Sequence, residues 1–101
     1  MKSKTTTFNQ SLNKEKCINF FIRYGYFIHI EDGKTLILRK VGTEFTTSGE
    51  KSPKELSMLF KNNETVVSLK YDTFVLFDTG DLHEELNLIS NRITTNINSL
   101  V

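Results

Sequence analysis

Residues 64–78 read ETVVSLKYDTFVLFD and residues 81–93 read DLHEELNLISNRI, with Thr79-Gly80 between them. From Thr65 the positions Thr65, Val67, Leu69 and Tyr71 alternate with Val66, Ser68 and Lys70, the period of a half-buried strand. Val, Thr and Tyr suit its pleated surface. Past Asp72 the apolar run becomes continuous over 74–77, which fits either cover on both faces or a phase shift at a bulge near Asp72. After Gly80 the spacing changes to Leu82, Leu86, Ile89 and Ile93, continuing toward Ile97 and Leu100, one stripe on a helix. Asp81 stands three residues before Glu84 in a capping-box arrangement, and Glu84 and Glu85 complement the helix dipole. Thr94, Thr95 and Asn96 are weak helix formers, so fraying is expected before Leu100.

Working upstream, residues 53–61 admit two readings. Ser52-Pro53-Lys54-Glu55 has the form of a capping box with Pro at the first helical position, and Leu56, Leu59 and Phe60 have helical spacing. An Asn62-Asn63 reversal would instead pair Lys61 with Glu64, Met58 with Val67, Leu56 with Leu69 and Glu55 with Lys70. In that register opposite charges face each other and Leu56, Met58 and Phe60 join the apolar face of the next strand. Agreement across these levels favours the hairpin. A second hairpin is expected over 26–31 and 34–41 around Asp32-Gly33, pairing Glu31 with Lys34, Ile30 with Thr35, Ile28 with Ile37 and Tyr26 with Arg39. One face then carries Tyr26, Ile28, Ile30, Ile37 and Val41, and the other carries Phe27, Leu36 and Leu38 among His29, Glu31, Lys34 and Lys40. Between the hairpins, residues 42–54 are polar and long for a connection, which marks a functional or a flexible loop.

Residues 1–10 contain a Thr run and one apolar residue, Phe8, and read as a flexible tail. Ser11 or Asn13 can cap a first helix over 12–24, whose apolar side clusters Cys17, Ile18, Phe21 and Ile22. Gly25 stands where a left-handed residue ends a helix, and Tyr26 can fold back on Phe21. The predicted architecture is a single α+β domain over 11–101, α-β-β-β-β-α, an antiparallel meander with two helices on one face.

The 101 residues, with 38% apolar content and eleven aromatics, support one modest core. The single cysteine, Cys17, excludes an intramolecular disulfide, and the polar start and the lack of a long apolar run agree with a soluble cytoplasmic protein. Residues 1–40 hold eight basic and three acidic side chains, and 41–101 hold five and nine. The basic residues are dispersed, which fits two halves facing each other in one fold better than a surface for an anionic partner.

Several motifs suggest chemistry. Residues 74–80, FVLFDTG, resemble the hydrophobic-hydrophobic-Asp-Thr-Gly element of pepsin-like and retroviral aspartic proteases, where two such aspartates share a proton. In the retroviral enzymes the triplet comes early and is followed by further strands. Here 21 residues follow Gly80 and read as helix, so Asp78 reads as a turn residue. Residues 23–30, RYGYFIHI, loosely resemble the RNP1 strand of RNA-recognition modules, but the order of elements differs and Tyr26 and Phe27 fit core and flank. Gly49-Glu50-Lys51-Ser52 interrupts the phosphate-loop triplet, and after His83-Glu84-Glu85 the position for a second zinc ligand is Asn87. His29 stands apart on a strand, and Cys17 fits a buried small hydrophobe.

No catalytic constellation remains, and no cofactor or metal is expected. The leading expectation is a small non-enzymatic protein-interaction domain, a homodimer being one form, with Phe27, His29, Leu36, Leu38, Thr46 and Thr47 as candidate contact residues. The alternative is a carrier of a small apolar ligand, with a cavity between sheet and helices. Neither membrane nor nucleic acid is the expected partner.

Overall fold

A computed structural model describes residues 3–40, 53–71 and 81–101. The chain forms β1 (Ser3–Phe8), α1 (Lys14–Ile22), β2 (Tyr26–Glu31), β3 (Thr35–Lys40), β4 (Lys54–Phe60), β5 (Thr65–Tyr71), α2 (Asp81–Thr95) and a last turn, α3 (Ile97–Leu100). The strands make one antiparallel sheet in the order β1-β5-β4-β3-β2 with the helices packed on it, an α+β single domain.

The β4–β5 hairpin has the register read from its charges. Glu55 faces Lys70, Leu56 faces Leu69 and Met58 faces Val67, and the Lys61 amide donates to the Glu64 carbonyl at 2.9 Å. Residues 54–60 are therefore strand, and Leu56, Met58 and Phe60 join Thr65, Val67, Leu69 and Tyr71 on the buried face.

The β2–β3 hairpin departs from expectation in two ways. Its reversal is centred on Gly33-Lys34, because the Asp32 amide donates to the Thr35 carbonyl at 3.0 Å and the Asp32 carboxylate accepts from the Lys34 and Thr35 amides. Asp32 thus closes the turn with its own side chain, a role Asp fills readily, instead of taking a left-handed central position. Further along β2 the register shifts between Ile28 and Ile30, so Ile30 faces Ile37 whereas Ile28 faces Leu38 and Phe27 faces Arg39. Such an offset exchanges the side to which the rest of the strand points.

Residues 3–8, expected to be a tail, form β1 instead and pair with β5 from Ser3–Lys70 to Phe8–Thr65. The three threonines are β-branched and suit a strand whose outer side stays in water. The return from β1 to α1 is fixed by Thr65, fully buried, whose hydroxyl donates to the Gln10 carbonyl at 2.9 Å and accepts from the Leu12 amide at 3.0 Å.

Asn13 caps α1, its side chain accepting from the Lys16 amide at 3.0 Å. At the far end Gly25 has φ +88° and Tyr26 meets the Phe21 ring with centroids 5.8 Å apart, the predicted stop. On α2 the stripe Leu82, Leu86, Ile89 and Ile93 is buried, as are Leu12, Cys17, Phe21 and Leu100, and all belong to the core between helices and sheet. The helix breaks at Asn96, whose side chain donates to the Arg92 carbonyl, and α3 brings the Leu100 carbonyl to the Asn13 amide. The expected cap of α2, Asp81, has its side chain outside the described residues, as do the whole of 41–52 and 72–80.

Candidate interaction surface

The helices cover one side of the sheet, and the strand registers define what the other side presents. Across β5, β4, β3 and β2 one row runs Lys70, Glu55, Arg39, Phe27, with Ser3 of β1 beside Lys70. The next row runs Thr5, Ser68, Ser57, Ile37, Ile30, and the third runs Thr7, Val66, Leu59, Thr35. Phe27, Ile30 and Leu59 are among the exposed large hydrophobic residues, and Ile37 and Val66 are half-buried. The apolar side chains lie toward β2 and β3, and hydroxyls toward β1, where Thr5 and Ser68 are 2.9 Å apart.

The charged row is internally bonded. Glu55 accepts from Lys70 at 2.9 Å and from Arg39 at 3.4 Å. Burial pushes its carboxyl up, but the hydrogen bonds and positive charges of Lys70 and Arg39 outweigh that and hold it below the ordinary range. Glu55 is therefore an anion whose charge is answered within the sheet.

Of the residues expected to make contacts, Phe27 is on this face and exposed, and His29 is exposed at the strand offset. Leu36 and Leu38 are not on the surface. Both are fully buried, facing Met58 and Leu56 in the core layer. The offset at His29 separates them from Phe27, and their pairing with β4 commits them to the helix side. Their places on the open face are taken by Ile30, Ile37 and Leu59. The signal that could have found these residues is the β3–β4 register, which aligns Leu36 and Leu38 with the apolar positions of β4 and leaves Ile37 opposite Ser57. Thr46 and Thr47 lie outside the described residues, as do Asp78-Thr79-Gly80, Gly49–Ser52 and the loop around them.

Among the described residues, Cys17, Tyr26 and His83 are tied into structure. Burial pushes the Cys17 thiol up to about 12, away from thiolate chemistry at neutral pH. Burial, then Glu85, raise the Tyr26 hydroxyl far above its usual range, and that hydroxyl donates to Glu85 at 3.1 Å beside Lys40 at 3.4 Å. His83 is 3.1 Å from the Asn87 amide across one helical turn. Among the described residues no group of three or more His, Cys, Asp or Glu could hold a metal ion, and no helix is long and apolar enough to cross a membrane. Phe27 is the one aromatic among the described residues of the open face, since Tyr26 points to the core.

Between sheet and helices the space is occupied by the side chains of Leu36, Leu38, Leu56, Met58, Val67 and Leu69 against those of α1 and α2. An open cleft of about 310 Å³ lies at the surface, lined by Phe8, Asn9, Gln10, Thr94 and Ile97. Compared with known protein families, curated proteins and solved structures, the chain matches none.

Proposed function

We propose that this chain is a non-enzymatic interaction domain that binds another protein through the uncovered side of its sheet. The observation that carries the reading is the run of Phe27, Ile30, Ile37 and Leu59 across β2, β3 and β4, apolar side chains grouped on the side of the sheet away from the described helices. A partner covering them gains roughly 25 cal/mol for each Å² of apolar surface removed from water. The bonded row of Lys70, Glu55 and Arg39 forms a polar rim at one end. A carrier of a small apolar ligand is the other reading, and among the described residues core side chains pack the layer in which its cavity was expected.

Native mass spectrometry of the protein purified from its source separates the two. An interaction domain carries a second polypeptide, and Phe27→Asp with Ile37→Asp releases it while the circular-dichroism spectrum is unchanged. A small co-purifying molecule in place of a chain, or a bound chain indifferent to both substitutions, contradicts the reading.

A further inference from the structure

The exposed apolar residues are not spread evenly. Seven large ones are exposed among the described residues, and four fall within nine positions: Ile22 (50%), Phe27 (46%), Ile28 (43%) and Ile30 (45%). Three of them are on β2, the edge of the sheet next to β3, and the fourth ends the helix that packs on β2. They lie on both sides of that strand. Ile28, opposite buried Leu38, is on the helix side, and Phe27 and Ile30, opposite Arg39 and Ile37, are on the open side. A partner resting on one face would cover one set only. A strand added at the edge covers both, since its side chains alternate between the two faces.

The other edge differs in kind. β1 presents Ser3, Lys4 and the three threonines, the polar guard expected of an edge meant to remain alone. β2 carries Tyr26, Phe27, Ile28 and Ile30, with His29 at the offset and Glu31 at its end.

We propose that the strand added to β2 is β2 of a second copy, running antiparallel, so that the sheets of the two copies join into one. This rests on the reading of the chain as a protein-interaction domain, but it puts the contact at the β2 edge, sharing only Phe27 and Ile30 with the open face. Antiparallel self-pairing is isologous, as a two-fold dimer requires. It lays the acidic end of one β2, Glu31 with Asp32 after it, toward the α1–β2 junction of the other copy, where Arg23 ends α1. Glu31 is exposed and bonded to Lys14 at 3.2 Å, and Arg23 is exposed. Ile22, Phe27, Ile28 and Ile30, each about half exposed, and the free edge of the strand supply the surface to be buried, against the roughly 600 Å² per copy at the lower end of a specific dimer interface.

Sedimentation of the purified chain over a concentration series tests the pairing, together with intermolecular NOEs in a mixture of labelled and unlabelled protein. The expected result is reversible dimerisation with cross-chain NOEs between β2 backbone protons. Ile28→Lys on the helix side and Ile30→Lys on the open side should each raise the dissociation constant at least tenfold. Both positions are half-exposed, so either variant keeps its fold, checked by its thermal unfolding. A chain that stays monomeric to millimolar concentration, or a dimer whose cross-chain NOEs lie at Ile37 and Leu59 without β2, overturns the pairing. Either result leaves the broader reading standing, because that reading falls only with the outcomes of the source-purified protein.

Discussion

At the scale of single residues, Thr65 and Glu55 show how polar groups are held in or beside a small core. The Thr65 hydroxyl satisfies a donor and an acceptor of the segment that carries the chain from β1 to α1. Thr65→Val keeps the shape and leaves the Leu12 amide and Gln10 carbonyl without that partner. The expected loss is about 2 kcal/mol in urea unfolding, largely restored by Thr65→Ser. An unchanged midpoint for the valine variant would show that water replaces the hydroxyl. Glu55 has its carboxyl held below the usual 4.5 by Lys70 and Arg39 against the opposing effect of burial. A depressed folded-state value means that the stabilisation is present above the unfolded carboxyl range and is lost as pH falls through the folded value. Urea midpoints should therefore decline as pH drops below about 4.5, and Glu55→Gln should flatten that part of the profile. A variant with the same slope as the parent would assign the acid sensitivity to other carboxylates.

At the scale of elements, legibility followed the length of the connection. The β4–β5 register was readable because a two-residue turn is flanked by Lys61 and Glu64, with Glu55 and Lys70 further down the same ladder. The ends of α1 were equally plain, since Asn13 and Gly25 do what their side chains, or lack of one, allow. The β2–β3 hairpin lies where Asp32-Gly33 marks it, but its register differs from the expected one because Asp32 bonds to the turn amides, and the offset at His29 has no sequence mark. The β3–β4 register depends on a connection of more than ten residues, so no turn chemistry could assign Leu36 and Leu38 to the core side. β1 was missed because Thr5, Thr6 and Thr7 lack apolar alternation, the signal that reveals a strand with one buried face. Its pairing with β5 predicts that the β1 amides bonded to β5 exchange with solvent at least 100-fold more slowly than in an unfolded chain. Exchange at the unfolded rate would return residues 3–8 to the status of a tail.

For the whole molecule, the functional reading depends on which side of the sheet the helices leave uncovered. The helix layer buries Leu36, Leu38, Leu56 and Leu69, and the same registers turn Ile30, Ile37, Leu59 and Val66 the other way. The sequence supplies both sets with similar residues, so composition does not distinguish them, and only the sheet order does. Of the three leucine and phenylalanine positions expected at a contact surface, Leu36 and Leu38 belong to the core and Phe27 stays outside. A soluble paramagnetic agent added to methyl-labelled protein separates the two sets directly. The account predicts strong relaxation enhancement at the Ile37 and Leu59 methyls and almost none at Leu36, Leu38 and Leu56; enhancement at Leu36 and Leu38 with protection of Ile37 and Leu59 would contradict it.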